Sequence, residues 1–269
     1  MRDTMVAEVS LRTRRGLWVL PLVAALAGVF GWSCAVAAGL NDTGFTTCAD
    51  ASGATVSCTA ATAVQGQDAR YGRDAAAGTG ALTKVGGGAN GFDFTKISNA
   101  GAVLPSTAPL GTAAGDWGCT YDNTTGLMWE VKTTSGLRNV ASGYSWYSSN
   151  AATNGGAVGY ANGGICVSPG RCNTENFFQD VNSVGMCGHS DWRMPTLREL
   201  HGIRLFAANQ RIDAAYFPDY PDSGNYTWTG APMSGNPGSA WVIDFGNGSV
   251  YPSGKGSLAA KVRLVRVGQ

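Results

Sequence analysis

The chain has 269 residues, of which 14% are charged and 39 are glycine, and its formal net charge is +1. Ordinary globular chains are about 25% charged, so small neutral residues have replaced charge here, and the near-neutral balance excludes a polybasic nucleic-acid binder. A hydrophobic fraction of 44% with 10% aromatics is too rich for a self-repelling disordered chain and sufficient for one packed core.

Residues 1–38 read as an export signal. Arg12, Arg14 and Arg15 precede the apolar run Leu17–Trp32, and Ala35-Val36-Ala37-Ala38 supplies the small residues that a signal peptidase reads. The run is about 16 residues, short of the roughly 20 a spanning helix needs, so no membrane span is expected after cleavage. Gly31-Trp32-Ser33 before Cys34 lacks the aliphatic residue of a lipoprotein signal. Residues 39–269 then carry 15 Lys/Arg against 16 Asp/Glu, and the expected destination is the periplasm, the cell surface or the medium.

Six cysteines remain in that span, an even number suited to an oxidising compartment. Sequence alone leaves the connectivity open, but Cys48/Cys58 and Cys166/Cys172 are close enough to close local loops, which would leave Cys119 with Cys187. No cysteine pair has zinc-ligand spacing, and the histidines are His189 and His201 alone, so no metal is expected.

Residues 39–115 are dominated by Ala, Gly, Thr and Ser and contain no tryptophan, which predicts a surface extension with one small disulfide loop and few strands. Phe92-Asp93-Phe94 is its best strand candidate. Gly86-Gly87-Gly88-Ala89-Asn90-Gly91 fits a dinucleotide-binding pattern by letters, but the strand candidate follows where a helix should begin. Residues 116–269 hold Trp117, Trp129, Trp146, Trp192, Trp228 and Trp241, so the folded domain is expected there.

Within it, Asp122-Asn123 predicts a turn and 125–131 a strand. A helix is expected after Asn173-Thr174, with Phe177, Phe178, Val181 and Val184 on one face and Gly185 ending it. A second helix starts at Thr196, where Thr196 and Glu199 form a capping-box pattern behind Pro195, and turns Leu197, Leu200 and Ile203 inward. Strand signals follow at 226–229, 240–245, 250–251 and 262–266, with Asn247-Gly248 as a hairpin turn. Two helices and short antiparallel sheets make an α+β fold.

Catalytic signatures are missing. There is no Gly-x-Ser-x-Gly elbow, phosphate loop or paired-histidine motif. Asp219, Asp222 and Asn225 offer oxygens but follow no EF-hand spacing and suit a polar turn. Binding is better supported. Tyr226, Trp228, Trp241 and Tyr251 lie on expected strands near Asp244, Asn247 and Lys255, and flat rings beside hydrogen-bonding groups suit sugars. Trp228 and Trp241 are expected mainly as core, with the polar neighbours making the contacts.

Four blocks carry a family resemblance: Asp122 to Glu130, Gly188 to Leu200, Ala240 to Phe245 and Val262 to Arg266. In this order they resemble the Lcl C-terminal domain family, named for the tail of a bacterial collagen-like adhesin. Asp42-Thr43-Gly44 and Gly66-Gln67-Asp68-Ala69-Arg70-Tyr71-Gly72 look like the leader of many exported members.

The resemblance implies a C-type-lectin-like fold, related to formylglycine-generating enzymes. It makes Trp129, Asp191, Trp192, Arg193, Pro195, Thr196, Glu199 and Arg266 structural, with Trp192 buried and Arg193 held by a carboxylate or carbonyls. Neither Glu-Pro-Asn nor Gln-Pro-Asp occurs, so calcium-dependent sugar binding is not implied. A basic cluster suited to sulfated glycosaminoglycans is also lacking.

The resulting expectation is an exported adhesion or ligand-recognition module for a glycan or cell-surface ligand, without a cofactor. Its alternatives are a sulfatase-modifying-type enzyme and a structural envelope protein.

Overall fold

The computed structural model describes residues 39–207, 211–218, 226–256 and 259–268. The expected export signal lies outside the described residues, as do Asp219, Asp222 and Asn225.

The chain first makes a two-stranded hairpin, β1 (Cys48–Ala49) and β2 (Thr55–Val56), closed by the Cys48–Cys58 disulfide. Helix α1 (Gly72–Gly78), which sequence patterning does not predict, follows. Two motif segments meet at this helix: Asp42 accepts from the Asp74 amide at 3.0 Å, and the buried Asp74 carboxylate accepts from the amides of Gly44 (2.6 Å) and Gly91 (2.8 Å). Thr43 also donates to Asp68. The cluster of Asp42, Asp68 and Asp74 thus anchors the leader segment through bonds that neither its composition nor its periodicity reveals.

Strands β3 (Phe94–Ser98), β4 (Val103–Leu104), β5 (Trp117–Asp122) and β6 (Leu127–Glu130) come next. Asp122 Oδ1 accepts from the amides of Thr124 and Thr125, which folds β5 back onto β6 with Thr120 opposite Trp129. The other edge of β5 pairs with β3, Phe94 opposite Asp122 and Ile97 opposite Cys119. The composition change near residue 116 is therefore not a break in the sheet. Phe92 and Phe94 are fully buried, and a stretch of small residues can bury such rings only against the core of the later segment.

Helix α2 (Thr174–Val184) has the expected ends: Asn173 accepts from the Asn176 amide at 2.8 Å, and Gly185 closes it at φ 65°. Phe177 and Val181 are buried, whereas Val184 points to solvent. Helix α3 (Leu197–His201) carries the full Thr196/Glu199 capping box. Strands β7 (Tyr226–Pro232), β8 (Ser239–Asp244) and β9 (Val250–Gly254) form an antiparallel meander, and β10 (Val265–Val267) returns to pair with β6. The five-stranded sheet thus runs β10-β6-β5-β3-β4. The described residues form a mixed helix/strand fold with three helices, one more than expected, and short antiparallel sheets.

Successive strand residues point to opposite faces, and here both faces are covered. Met128, Val242 and Leu264 enter one core with Trp146, Phe177, Trp192 and Trp228. Their neighbours Trp129, Ile243 and Val265 enter a second with Phe94, Leu200, Ile203 and Phe217. The Cys119–Cys187 disulfide joins β5 to the turn after α2, and Cys166–Cys172 closes a short loop. No helix among the described residues is long and apolar enough to cross a membrane.

Candidate functional site

The strand-and-turn residues expected to bind ligand divide into three groups. Trp228 is fully buried and donates its indole N–H to the Tyr144 carbonyl at 2.7 Å. Lys255 is also buried, donating to the carbonyls of Asn154 and Ala157 over the Trp146 ring at 4.2 Å. Lys255 is thereby a core residue and not a surface contact: a lysine with two carbonyl acceptors and an aromatic face has no need of water. Tyr226, Asp244 and Tyr251 do come together. Their rings meet edge-on at 5.4 Å, and the Tyr251 hydroxyl donates to Asp244 at 3.3 Å. Burial, with the neighbouring phenol and carboxylate, pushes Tyr251 up to about 12. Asn247 is exposed at the adjoining turn, and Trp241 is half-buried, its backbone position placing it on the opposite sheet face from Tyr226.

The motif around Trp192 ties α3 to the sheets. Asn182 brackets the Trp192 backbone from both sides, and the buried indole donates to the Met186 carbonyl at 3.0 Å. Arg193 grips Glu199 through two bonds of 2.9 and 2.6 Å. Burial pushes the Glu199 carboxyl up, but Arg193 and the Thr196 amide outweigh it and hold it below its ordinary value. Pro195 is buried, and its carbonyl accepts from Gly230 on β7 at 2.7 Å. Arg266 reaches Asp191 at 2.6 Å, which lowers the Asp191 carboxyl.

A cleft of 590 Å³ lies between the leader segment, the β5–β6 turn and α3, lined by Leu40, Asn41, Asp122, Leu127, Trp129, Glu199, His201 and Phe206 among others. Its volume is within the about 300–1,000 Å³ of small-molecule sites. Three features shape it. Asn41 donates to Asp122 at 2.5 Å, the Phe206 amide donates to Thr43 O at 2.7 Å, and the His201 ring meets Phe206 edge-on at 5.1 Å. Burial, then Arg204, lowers His201, which favours a neutral imidazole at neutral pH. Burial raises the Asp122 carboxyl.

Two cleft residues carry buried polar atoms without a partner: the indole N–H of fully buried Trp129 and the amide oxygen of Asn41. Each such atom left unpaired costs about 1–3 kcal/mol. In a larger cavity of 680 Å³ beside β3 and β4, two of the polar side chains are already engaged. Lys96 already donates to the Ala108 carbonyl and lies 3.8 Å over Trp117, and the Asn123 amide nitrogen donates to Asp93 and Thr95. The smaller cleft is the candidate site.

Sequence reading missed Asn41, His201 and Phe206 as site residues. Asn41 and Asp122 meet across 81 positions, and each sits in a conspicuous segment, but no local pattern links the segments.

Fold and covalent frame define a disulfide-stapled α+β domain with a small-molecule-sized cleft. The family model described as "Lcl C-terminal domain" matches residues 118–266, more than half of the chain, and the chain belongs to that family. Membership suggests a tail domain of the adhesin-associated kind, and the three disulfides fit an exported protein. No curated protein and no solved structure gives a significant match.

Proposed function

We propose that the chain is an exported recognition module of C-type-lectin-like fold that binds a neutral carbohydrate of the cell envelope or a host surface in the cleft between the leader segment and α3. The observation that carries this reading is the unspent donor of Trp129 and acceptor of Asn41 in a cleft that also holds Phe206 and His201. Aromatic surface beside fixed hydrogen-bonding groups is what a sugar ring, with its apolar faces and hydroxyl rim, requires. Asp42, Asp122 and Glu199 line the cleft against Arg198 alone, which disfavours sulfated glycans.

A glycan array followed by calorimetric titration of its hits tests the proposal. Neutral glycans should bind, and Trp129→Phe, which deletes only the N–H and a ring, should weaken them. Failure of every glycan would sink the sugar reading. A second reading places the contacts at Tyr226, Asp244 and Tyr251, supported by the two phenols around one carboxylate. Tyr251→Phe separates the two. The enzyme alternative needs a reduced thiol, yet all six cysteines of the described residues are in disulfides; a thiol titration of the folded protein should find none of them free.

A further inference from the structure

The 680 Å³ cavity beside β3 and β4 is a second space of small-molecule size. Gly87 exchanges both backbone hydrogen bonds with Phe94, and Leu104 pairs with Lys96. Because β5 occupies the other edge of β3, the segments 85–87 and 103–106 both lie along the edge that β5 leaves open, and both contribute to the cavity wall. Phe94, Ile97, Val103, Leu104, Pro105 and Met128 give that wall its apolar surface.

Charge separates this cavity from the cleft at α3. No Asp or Glu lines it among the described residues, whereas Lys96 does, together with Tyr216. Both are buried, at 8% and 4% exposure, and the Lys96 Nζ lies 5.9 Å from the Tyr216 ring. An ammonium has three N–H donors. One goes to the Ala108 carbonyl at 3.0 Å, and Lys96 forms no ion pair with any described residue. The Tyr216 hydroxyl also has no partner among the described residues, and glycine at 87 leaves it room, since a Cβ there would collide with the oxygen. Burial, then Asp213 and Asp93, raises the Tyr216 phenol, which keeps it a donor at neutral pH. Neither of those carboxylates lines the cavity. Asp93 accepts from the amides of Val85 and Gly86 and from Asn123, with Arg73 at 3.7 Å, and Asp213 accepts from the amides of Ala89 and Ala215. His189, the other base on the wall, is lowered by burial and then by Arg266, which favours its neutral form.

We propose that this cavity binds a small monocarboxylate with an apolar body, its carboxylate received by the Lys96 ammonium and the Tyr216 hydroxyl. A buried charge is costly until it is paired and hydrogen-bonded, and a carboxylate supplies Lys96 with the partner that the chain does not. A single ammonium on the wall, with no guanidinium beside it, matches one negative charge; phosphate and sulfate carry more and are served by the fork of an arginine. The six apolar residues take the body of the ligand. A neutral sugar would leave the ammonium unpaired, so this site and the cleft at α3 call for different ligands, and neither reading depends on the other.

Titration followed by amide NMR shifts tests this, with benzoate as the probe and benzamide as its uncharged counterpart of the same shape. Benzoate should bind with a dissociation constant of about 1 mM or below and shift the amides of β3 and β4, and benzamide should bind at least about tenfold more weakly. Lys96→Met, which keeps the stem and removes the charge, should weaken benzoate at least about tenfold, and Tyr216→Phe by about 3- to 10-fold. Should Lys96→Met lower the unfolding midpoint, Val103→Glu gives the same reading: Val103 lines the cavity at 74% exposure, so a carboxylate there repels benzoate without disturbing the core, and Val103→Gln should not. Trp129→Phe, in the other cleft, should leave benzoate affinity unchanged. Benzoate that fails to bind, benzoate and benzamide that bind alike, or a folded Lys96→Met that holds benzoate as tightly as the wild type overturns the proposal.

Discussion

Stability should rise between pH 8 and 10, and Lys132 is a principal reason. Its side chain is buried, 2.7 Å from Glu130 and 4.4 Å over the Phe177 ring. Burial, only partly opposed by Glu130, pulls the amine from 10.5 to about 8. Between these values the unfolded chain holds a proton that the folded one has released. Unfolding therefore takes up a proton, and stability increases with pH by at most about 1.4 kcal/mol per unit. The penalty is fully present below the folded value, is relieved through the window and is absent above the unfolded value; over the window it amounts to about 3 kcal/mol. Lys84, Lys96, Lys255 and Lys261 are also lowered by burial, so the informative quantity is a difference between proteins. Replacing Lys132 alone would strand Glu130, which argues for the neutral pair Glu130→Gln with Lys132→Met. Urea unfolding at half-unit steps from pH 7.5 to 10 should show the wild type gaining about 1 kcal/mol per unit on that variant. The range stops at 10 because burial raises Tyr144 and Tyr216, so ionising phenols oppose the trend above it. Parallel curves would refute the reasoning and show that Lys132 titrates as a hydrated lysine.

Trp192→Ala should destabilise by about 3–5 kcal/mol in urea melts, since a fully packed indole and its bond to Met186 are lost; a loss below about 1 would mean the ring is not packed as described. Removing Cys119–Cys187, which spans 68 positions, should cost about 4 kcal/mol on loop entropy, against about 2–3 for the bridges spanning 10 and 6. Equal losses in the three double-alanine variants would contradict that order. Glu199→Ala removes a capping-box acceptor and both bonds to Arg193 and should cost about 1–3 kcal/mol. Glu199→Gln, which keeps one acceptor, should recover part of the loss.

Local chemistry was the most legible part of this fold. The Thr196/Glu199 box, the Asn173 and Gly185 ends of α2 and the Asp122 turn each act within a few residues, so their letters suffice. Strand β5 was not legible, because Trp117-Gly118-Cys119-Thr120-Tyr121-Asp122 is covered on both faces and shows no alternation. Helix α1 is short, contains glycine at both ends and depends on Asp42, more than thirty positions away. Lys255 misled for a related reason: a lysine at a polar turn suggests solvent, and only the tertiary fold brings the carbonyls of Asn154 and Ala157 to it. The cleft was illegible because its unspent polar atoms belong to Asn41 and Trp129, which ordinary pattern reading assigns to a leader and a core strand.

The proposed function requires that ligand be held in the cleft by the Trp129 N–H. It is tested most directly by titrating the best array-selected glycan into wild type, Trp129→Phe and Tyr251→Phe, each with its unfolding midpoint checked. Loss of one neutral hydrogen bond should weaken Trp129→Phe by about 3- to 10-fold and leave Tyr251→Phe at wild-type affinity. A folded Trp129→Phe that binds as tightly as the wild type would contradict the claim.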